Sequence, residues 1–579
     1  MTRSAFGGVE LPRPPASADP GPDDDRFYDL VEDRFRRIVE SDPVLATRLG
    51  IHAWDDRLPD GSREQIVADL DADRRHLVSI EALDPERLGA ATRFERDLEM
   101  HNLRLAIFAV DGLRYWERHA SAVDAIGDAL FPLFTRDFGT PAERFEALAS
   151  RMERAPAHIA QHRSRPAGPQ VRLWQELEIT SGRDLPAFFQ EVVEGADALG
   201  LSTSLRRRLS AAAANAGAAI GEHLDWVTQS LASATDDWGV GRANYEQLVG
   251  LRALDGLDSD AILAIGWEQL ELQLAARASA AREIDPVADE LEVVERLKSD
   301  HAPTFEAALD EYRTAMDRAR SHLIDRGLMT VPDDERINVV ATPRYLRNVM
   351  PFAAYFDPAP FDPHPVGTYI VTPSVDGDPA AIREHYRASI SNTSIHEAYP
   401  GHHLQLVTAS KNPSLTRLFC DAPEFVEGWG MYSEQFMREE GFDDGPAFRL
   451  ALATDAIWRA CRIILDVRMH RGEMTVREAA DFLVEHTRFE RPHALAEVNR
   501  YTSTPTYQLS YLLGKVLILG LRDSEQRQRG PGYSARVFHD TLLRNGSIPV
   551  SFHRRLLRGE ALERPGGSAS GADLAATRA

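Results

Sequence analysis

Apolar residues recur at three- and four-residue steps along most of this chain, and that period narrows its fold more than any other feature. Near the start Phe27, Leu30, Val31, Phe35, Ile38 and Val39 fall on one face of a helix. Further helices are predicted from Ser204 to Ala232, from Asp260 to Glu283 and from Thr304 to Asp325. No fixed-period repeat is visible. With 43% hydrophobic residues there is material for a large core. The expected fold is mainly α: one multi-helix unit over 25–564, between a disordered N-terminal tail at 1–24, rich in Pro, Gly and Asp, and a flexible tail at 565–579.

The pattern changes between Arg336 and Ser374, where INVVA, AAYF and GTYIVTP are β-prone runs divided by prolines. A small sheet or hairpin insert is expected near 336–375, between a helical half at 25–335 and a C-terminal core at 376–564. Within the insert, Gly367-Thr368-Tyr369 reads as a strand whose exposed edge can pair with an extended peptide. After it, Asp378 and Pro379 read as the cap and first turn of one helix running through AAIREHYRASISNTSIHEAY.

Charge and cysteine content exclude several function classes. Lys and Arg total 66 against 90 for Asp and Glu, a net charge of −24, which repels phosphate backbones and anionic lipid. Neither nucleic acid nor a membrane is expected as a partner. Cys420 and Cys461 are too few for a disulfide framework, and no apolar run has the length of a signal peptide or a membrane span. A cytoplasmic protein is expected. Nothing in the sequence sets an oligomeric state.

The chemistry is concentrated in HEAYPGHHLQ, residues 396–405. Two histidines four apart on one helical face hold a zinc ion in many hydrolases, with the Glu after the first His as general base. Here Pro400 stands where the second ligand would be. Pro400 lacks an N–H and Gly401 tolerates unusual backbone angles, so the helix must break and rejoin. If two residues loop out, His402 takes the second-ligand register; if three do, His403 takes it. His402 needs the smaller distortion and is preferred.

The next predicted helix, from Pro423 to Gly441, carries Glu427 and Glu434 seven residues apart, roughly 10.5 Å along one face. His396, His402 and Glu427 would complete a three-ligand set with a position left open for water. Tyr432 and Glu434 are candidates to orient a ligand histidine through a hydrogen bond. Two glycines in EGWGMY cost helix stability and imply close packing at the site, whereas Trp429 reads as core. One zinc per chain is expected, although the donor set does not separate Zn²⁺ from Mn²⁺ or Co²⁺.

In the closing stretch RYTSTPTYQLSYLLGK, residues 500–515, Arg500 is a candidate fork for a substrate carboxylate. Tyr501, Tyr507 and Tyr511 are candidate donors to an oxyanion, and His493 is a weaker candidate.

Together, HEAYPGHHLQ and EGWGMYSE resemble the bacterial family catalogued as domain of unknown function 885. SDPVLATRLGIHAWDDRLPD near the start and RYTSTPTYQLSYLLGK near the end resemble its opening and closing motifs, so the resemblance spans nearly the whole chain. It implies a zincin-like (gluzincin) helical unit with a deep groove, similar to thermostable metallocarboxypeptidases. That family's closing motif carries a Gly-Gln pair after the proline, where this chain has Thr506 and Tyr507.

The expected function is a zinc-dependent hydrolase, an exopeptidase of carboxypeptidase type acting on short peptides or small amides, with Glu397 as general base. Two alternatives are a metal-dependent hydrolase or lyase of a non-peptide C–N bond in a small metabolite, and a metal-free helical binding protein.

Overall fold

The predicted helices form close to their expected bounds, and side-chain caps explain where they start. Asp24–Ser41 buries Phe27, Val31, Phe35 and Val39 on one face. Thr203–Ser230, Ser259–Ile284 and Phe305–Arg326 begin where Ser202, Asp258 and Thr304 accept a backbone N–H from the first turn. The last of these stops at Gly327 in the left-handed region, at φ 62°. In this computed structural model the residues described are 6–17, 19–119, 121–342, 347, 353–362, 365–373 and 379–559.

Those residues cluster into two compact units rather than the single unit expected over 25–564. One comprises residues 1–238 with the segment Ala359–Pro365; the other comprises Gly239–Pro358 with Val366 onwards. In the first unit residues 6–17 are not a free tail. Phe6 and Leu11 are buried, and Phe6 packs on Phe35 and Trp54 with ring centroids 6.3 and 5.3 Å away. Arg13 meets Asp25 at 2.8 Å and Asp29 at 2.7 Å. Two apolar anchors outweigh a composition that is otherwise that of a tail. The expected tail at 565–579 and the Asp378 cap lie outside the described residues.

The segment Ala359–Pro365 joins the first unit through specific contacts. Phe361 N–H donates to Leu49 O at 3.0 Å. Asp362 Oδ1 lies 3.1 Å from His52 Nε2, while Asp55 Oδ2 is 2.9 Å from Nδ1. Gly50, at φ 85°, leaves room for Asp362, whose backbone N would be 2.7 Å from an added Cβ.

In the second unit the insert is a three-stranded sheet: β1 (Ile337–Ala341), β2 (Ala353–Phe356) and β3 (Gly367–Val371), in the order β1-β3-β2. β3 pairs in parallel with β1, Ile337 opposite Gly367, and antiparallel with β2, Tyr355 opposite Tyr369. Gly367-Thr368-Tyr369 is therefore on the central strand, hydrogen-bonded on both sides, and is not the exposed edge expected. The single helix expected before the His-Glu pair is also interrupted. A 3₁₀ turn over Pro379–Glu384 ends where Tyr386 becomes extended to bridge His301, and the helix proper is Arg387–Glu397. His385 explains the interruption, because its ring bonds Tyr312 Oη at 3.1 Å and Thr372 O at 3.1 Å.

Four more helices frame the site: His402–Ala409, Pro423–Glu439, Pro446–His470 and Ser510–Arg529. Pro423–Glu439 and Ser510–Arg529 cross at a pair of glycines. A Cβ on Gly428 would lie 2.5 Å from the Gly514 carbonyl carbon, and one on Gly514 would overlap the Glu424 carbonyl oxygen. Both obstacles are backbone, which cannot rotate away.

Two expectations follow. Gly514→Ala should push these helices apart and lower stability by about 1–3 kcal/mol, seen as a lower Tm; an unchanged Tm would contradict the close crossing. His52 is the pH-sensitive contact of the first unit. Burial opposes its charge, but the hydrogen bonds it donates to Asp362 and Asp55 win and raise its pKa from 6.5 to about 9. The folded form holds the proton more tightly than the unfolded form, so the stabilisation is complete below pH 6.5 and is lost as pH rises through about 9. The His52 imidazole resonance should titrate near pH 9, and Asp362→Asn should bring the midpoint down; a midpoint below 7 in the parent would refute the pairing.

Candidate metal centre

The helix Arg387–Glu397 ends immediately after the His-Glu pair, and a new helix starts at His402. Across the break Gly401 N–H donates to Ile395 O at 3.0 Å and Leu404 N–H to Ala398 O at 3.3 Å. Both bonds reach back six residues, where a regular helix reaches back four. The two surplus residues are absorbed in the loop, and His402 reaches the place that a fourth residue after His396 would have. A side chain at Gly401 would overlap His396 O, so the re-entry requires glycine.

His396 and His402 consequently face one another, with ring centroids 4.7 Å apart. Glu427 Oε2 lies 3.7 Å from His396 Nε2 and 3.4 Å from His402 Nε2. One ligand atom from each of these three residues falls within 4.8 Å of the others, and among the described residues they form the one group able to hold a metal ion. His403 points elsewhere. Its Nε2 meets Glu335 Oε2 at 2.8 Å and its Nδ1 meets Tyr355 Oη at 2.9 Å, tying the His402–Ala409 helix to β2. Burial opposes the Glu335 charge, but His403, Tyr399 and Arg320 overcome it and lower its pKa to about 2.

Glu434 is within hydrogen-bond distance of a site histidine: its Oε1 is 2.7 Å from His396 Nδ1, fixing that ring with Nε2 towards Glu427. Tyr432 does not take the same role, because its hydroxyl bonds His539 Nε2 at 2.7 Å. Two turns of helix carry Glu427 and Glu434 to the same imidazole, while Tyr432 falls on another face. Gly430 makes room for the ring, since a Cβ there would be 2.6 Å from His396 Cε1. Trp429 is core, fully buried, with its indole N–H donated to Pro400 O at 2.8 Å.

The electrostatics of this cluster favour a cation. Burial opposes charge on both His396 and Glu427, yet their contact, with His402 and Glu434, outweighs it. Glu427 is held well below the ordinary carboxylate range and His396 above the ordinary imidazole range. A proton meets that demand when nothing else is bound; a divalent ion meets it with a larger charge and three ready donors. The fit of the donor set to zinc is good, two imidazoles and a carboxylate with an orienting acid behind one of them.

Glu397 follows His396 at the helix end and is half-buried. Its charge adds to burial in raising the pKa of the Tyr312 and Tyr369 hydroxyls, which stay neutral. Tyr507 donates its hydroxyl to Glu427 Oε1 at 2.8 Å. Tyr511 stands beside it, ring centroids 5.9 Å apart. The backbone that presents Tyr507 is unusual: Thr506 has φ 66°, a region unfavourable for a β-branched residue. Asp466 accepts the Thr506 N–H at 2.9 Å, and Arg252 donates to Thr506 Oγ1 at 3.2 Å.

Other candidates from the closing stretch have partners of their own. Tyr501 is fully buried; its hydroxyl donates to Glu497 at 2.7 Å and accepts from Arg462 at 3.0 Å and Trp458 at 3.2 Å. That hydroxyl is committed to helix packing. Arg500 bonds Glu497 at 3.0 Å on its own helix, with its side chain 45% exposed. His493 stacks on Phe489 at 4.3 Å. The sequence reading missed Arg462, Asn392 and Asp455, whose partners Tyr501 and Glu434 lie on other helices and are met only after folding.

The model of the family "bacterial protein of unknown function (DUF885)" matches residues 43–557. Two solved structures share the fold. A candidate lipoprotein of unknown function from Shewanella oneidensis aligns with TM-score 0.75 at 21% identity, over 92% of this chain and 99% of that one. A candidate lipoprotein from Colwellia psychrerythraea aligns with TM-score 0.80 at 17% identity, over 93% and 99%. No curated protein matches the sequence. From its opening motif to its last described helix, the chain belongs to the bacterial DUF885 family.

Proposed function

We propose that this protein is a zinc-dependent hydrolase of peptidase type, acting on short peptides or small amides. The observation that carries the reading is the convergence of His396, His402 and Glu427 ligand atoms within 4.8 Å, with Glu397 adjoining. His396, His402 and Glu427 would hold the ion, and Glu434 would orient His396. A zinc ion so held supplies Lewis acidity, polarising a carbonyl and making water a nucleophile near neutral pH.

The chain's own groups do the rest. Glu397 takes a proton from the attacking water and returns it to the departing nitrogen, which balances the hydrolysis. Tyr507, already donating to Glu427, is near enough to redirect its hydroxyl to a developing oxyanion, with Tyr511 beside it. The carboxypeptidase direction rests on the family resemblance alone, as does a zincin-like description of the fold. Arg500 would need to share its fork with Glu497 to take a substrate carboxylate. A reducing, cytoplasmic setting fits Cys420 and Cys461, both buried and neither in a disulfide.

Purified protein should carry about one zinc per chain, retained in His403→Ala and lost in His396→Ala, His402→Ala and Glu427→Ala. Retention in all four would place the metal elsewhere. Glu397→Gln should keep zinc and Tm while losing about 10² to 10⁴-fold in turnover, the usual contribution of a general base. Near-parental turnover would remove Glu397 from that role. Peptides with a free C-terminus should be cut in preference to amidated ones; a requirement for a free N-terminus would make the enzyme an aminopeptidase, and a zinc-loaded protein that leaves every peptide intact would point to a non-peptide C–N bond.

A further inference from the structure

Behind the candidate metal centre, one side-chain amide sits where two carboxyl groups meet, the buried Glu434 and the partly exposed Asp455. Asn392 lies one helical turn before His396 on the helix Arg387–Glu397. Its Nδ2 donates to Glu434 Oε2 at 3.1 Å and to Asp455 Oδ2 at 2.8 Å, so it joins three helices. Glu434 Oε1 is the atom that meets His396 Nδ1. The two carboxylates accept and do not donate, so the amide must turn its NH₂ towards them, and this has a cost: Asn392 Oδ1 is left buried without a partner.

Asp455 is distinct from its neighbours. Its side chain is 37% exposed, with Arg459 at 3.8 Å. Burial first, and then the Glu434 charge, raise its pKa. Without the amide between them these two acids would face each other with no shared donor, and Glu434 would lose the contact that fixes its second oxygen.

We propose that Asn392 is a positioning residue of the metal centre: by spanning Glu434 and Asp455 it holds the Glu434 carboxylate in the rotamer that binds His396 Nδ1–H, and so keeps Nε2 aimed at Glu427 and His402. The inference rests on the metal-centre reading given above. It assigns Asn392 no contact with substrate. Its alternative is a buried amide that only ties helices together.

The test is a double-mutant cycle on zinc affinity, measured by chelator competition, with the Tm of metal-free protein taken for every variant. Asn392→Ala should weaken zinc binding about 10 to 100-fold, as losing an outer-shell partner typically does. Glu434→Gln should weaken it similarly, and the double variant should be no weaker than Glu434→Gln alone, because Asn392 acts through that carboxylate. Asn392→Leu, of similar volume and with no donor for the carboxylates, should behave as Asn392→Ala. Losses that multiply in the double variant, or an Asn392→Ala affinity within threefold of the parent, would overturn the proposal. A second readout needs no metal. With ¹⁵N-labelled histidine, the His396 Nδ1–H engaged by Glu434 should give a protected downfield proton signal that Asn392→Ala abolishes. If the parent binds no zinc yet this signal behaves as stated, the positioning role stands and the metal reading fails; if the signal survives Asn392→Ala, the positioning role is refuted.

Discussion

Two glutamates on one helix meet a single imidazole, and much of the second unit is arranged so that they can. Glu427 and Glu434 approach opposite nitrogens of His396, at 3.7 and 2.7 Å, in surroundings where an uncompensated carboxylate would be costly. Protein hydrogen bonds and ion pairs offset the cost. His402 and Tyr507 share Glu427, and Asn392 shares Glu434. This concentration of negative charge explains why protonation of the His396 imidazole is favoured where burial alone would oppose it.

The geometry depends on close approaches that a side chain would block. His402 enters the cluster only because the loop at Pro400 and Gly401 takes up two residues, and Gly401 does so in contact with His396 O. Glu427 arrives because its helix can touch the helix Ser510–Arg529 at Gly428 and Gly514, and His396 fits because position 430 has no side chain. Thr506 is the exception in this group. It holds a left-handed conformation that glycine would hold more cheaply, and bonds from Asp466 and Arg252 keep it there, presenting Tyr507 to Glu427.

Adjacent residues in one motif serve different tasks. His402 turns to Glu427, whereas His403 turns to Glu335 and Tyr355 and anchors the helix to the sheet. On the next helix Glu434 reaches His396 while Tyr432, two residues earlier, bonds His539. Helical geometry imposes that division, since neighbours in sequence point about a quarter-turn or more apart.

Local pattern carried the information on helices and on the site's nucleus. The three- and four-residue period placed the helices Thr203–Ser230, Ser259–Ile284 and Phe305–Arg326 within a residue or two, because amphipathic spacing and capping side chains act inside one turn. The Pro-Gly break and the seven-residue spacing of Glu427 and Glu434 likewise have consequences within one or two helices, so their register could be read directly. What the sequence could not decide were contacts between distant segments. The packing of Phe6 on Phe35 turned an apparent tail into core, the pairing of β3 with both β1 and β2 placed Gly367–Val371 in the centre of its sheet, and the burial of Tyr501 among Arg462, Trp458 and Glu497 committed its hydroxyl to helix packing. Those outcomes depend on which surfaces meet after the chain has folded back on itself, and no periodicity along the chain encodes the partner.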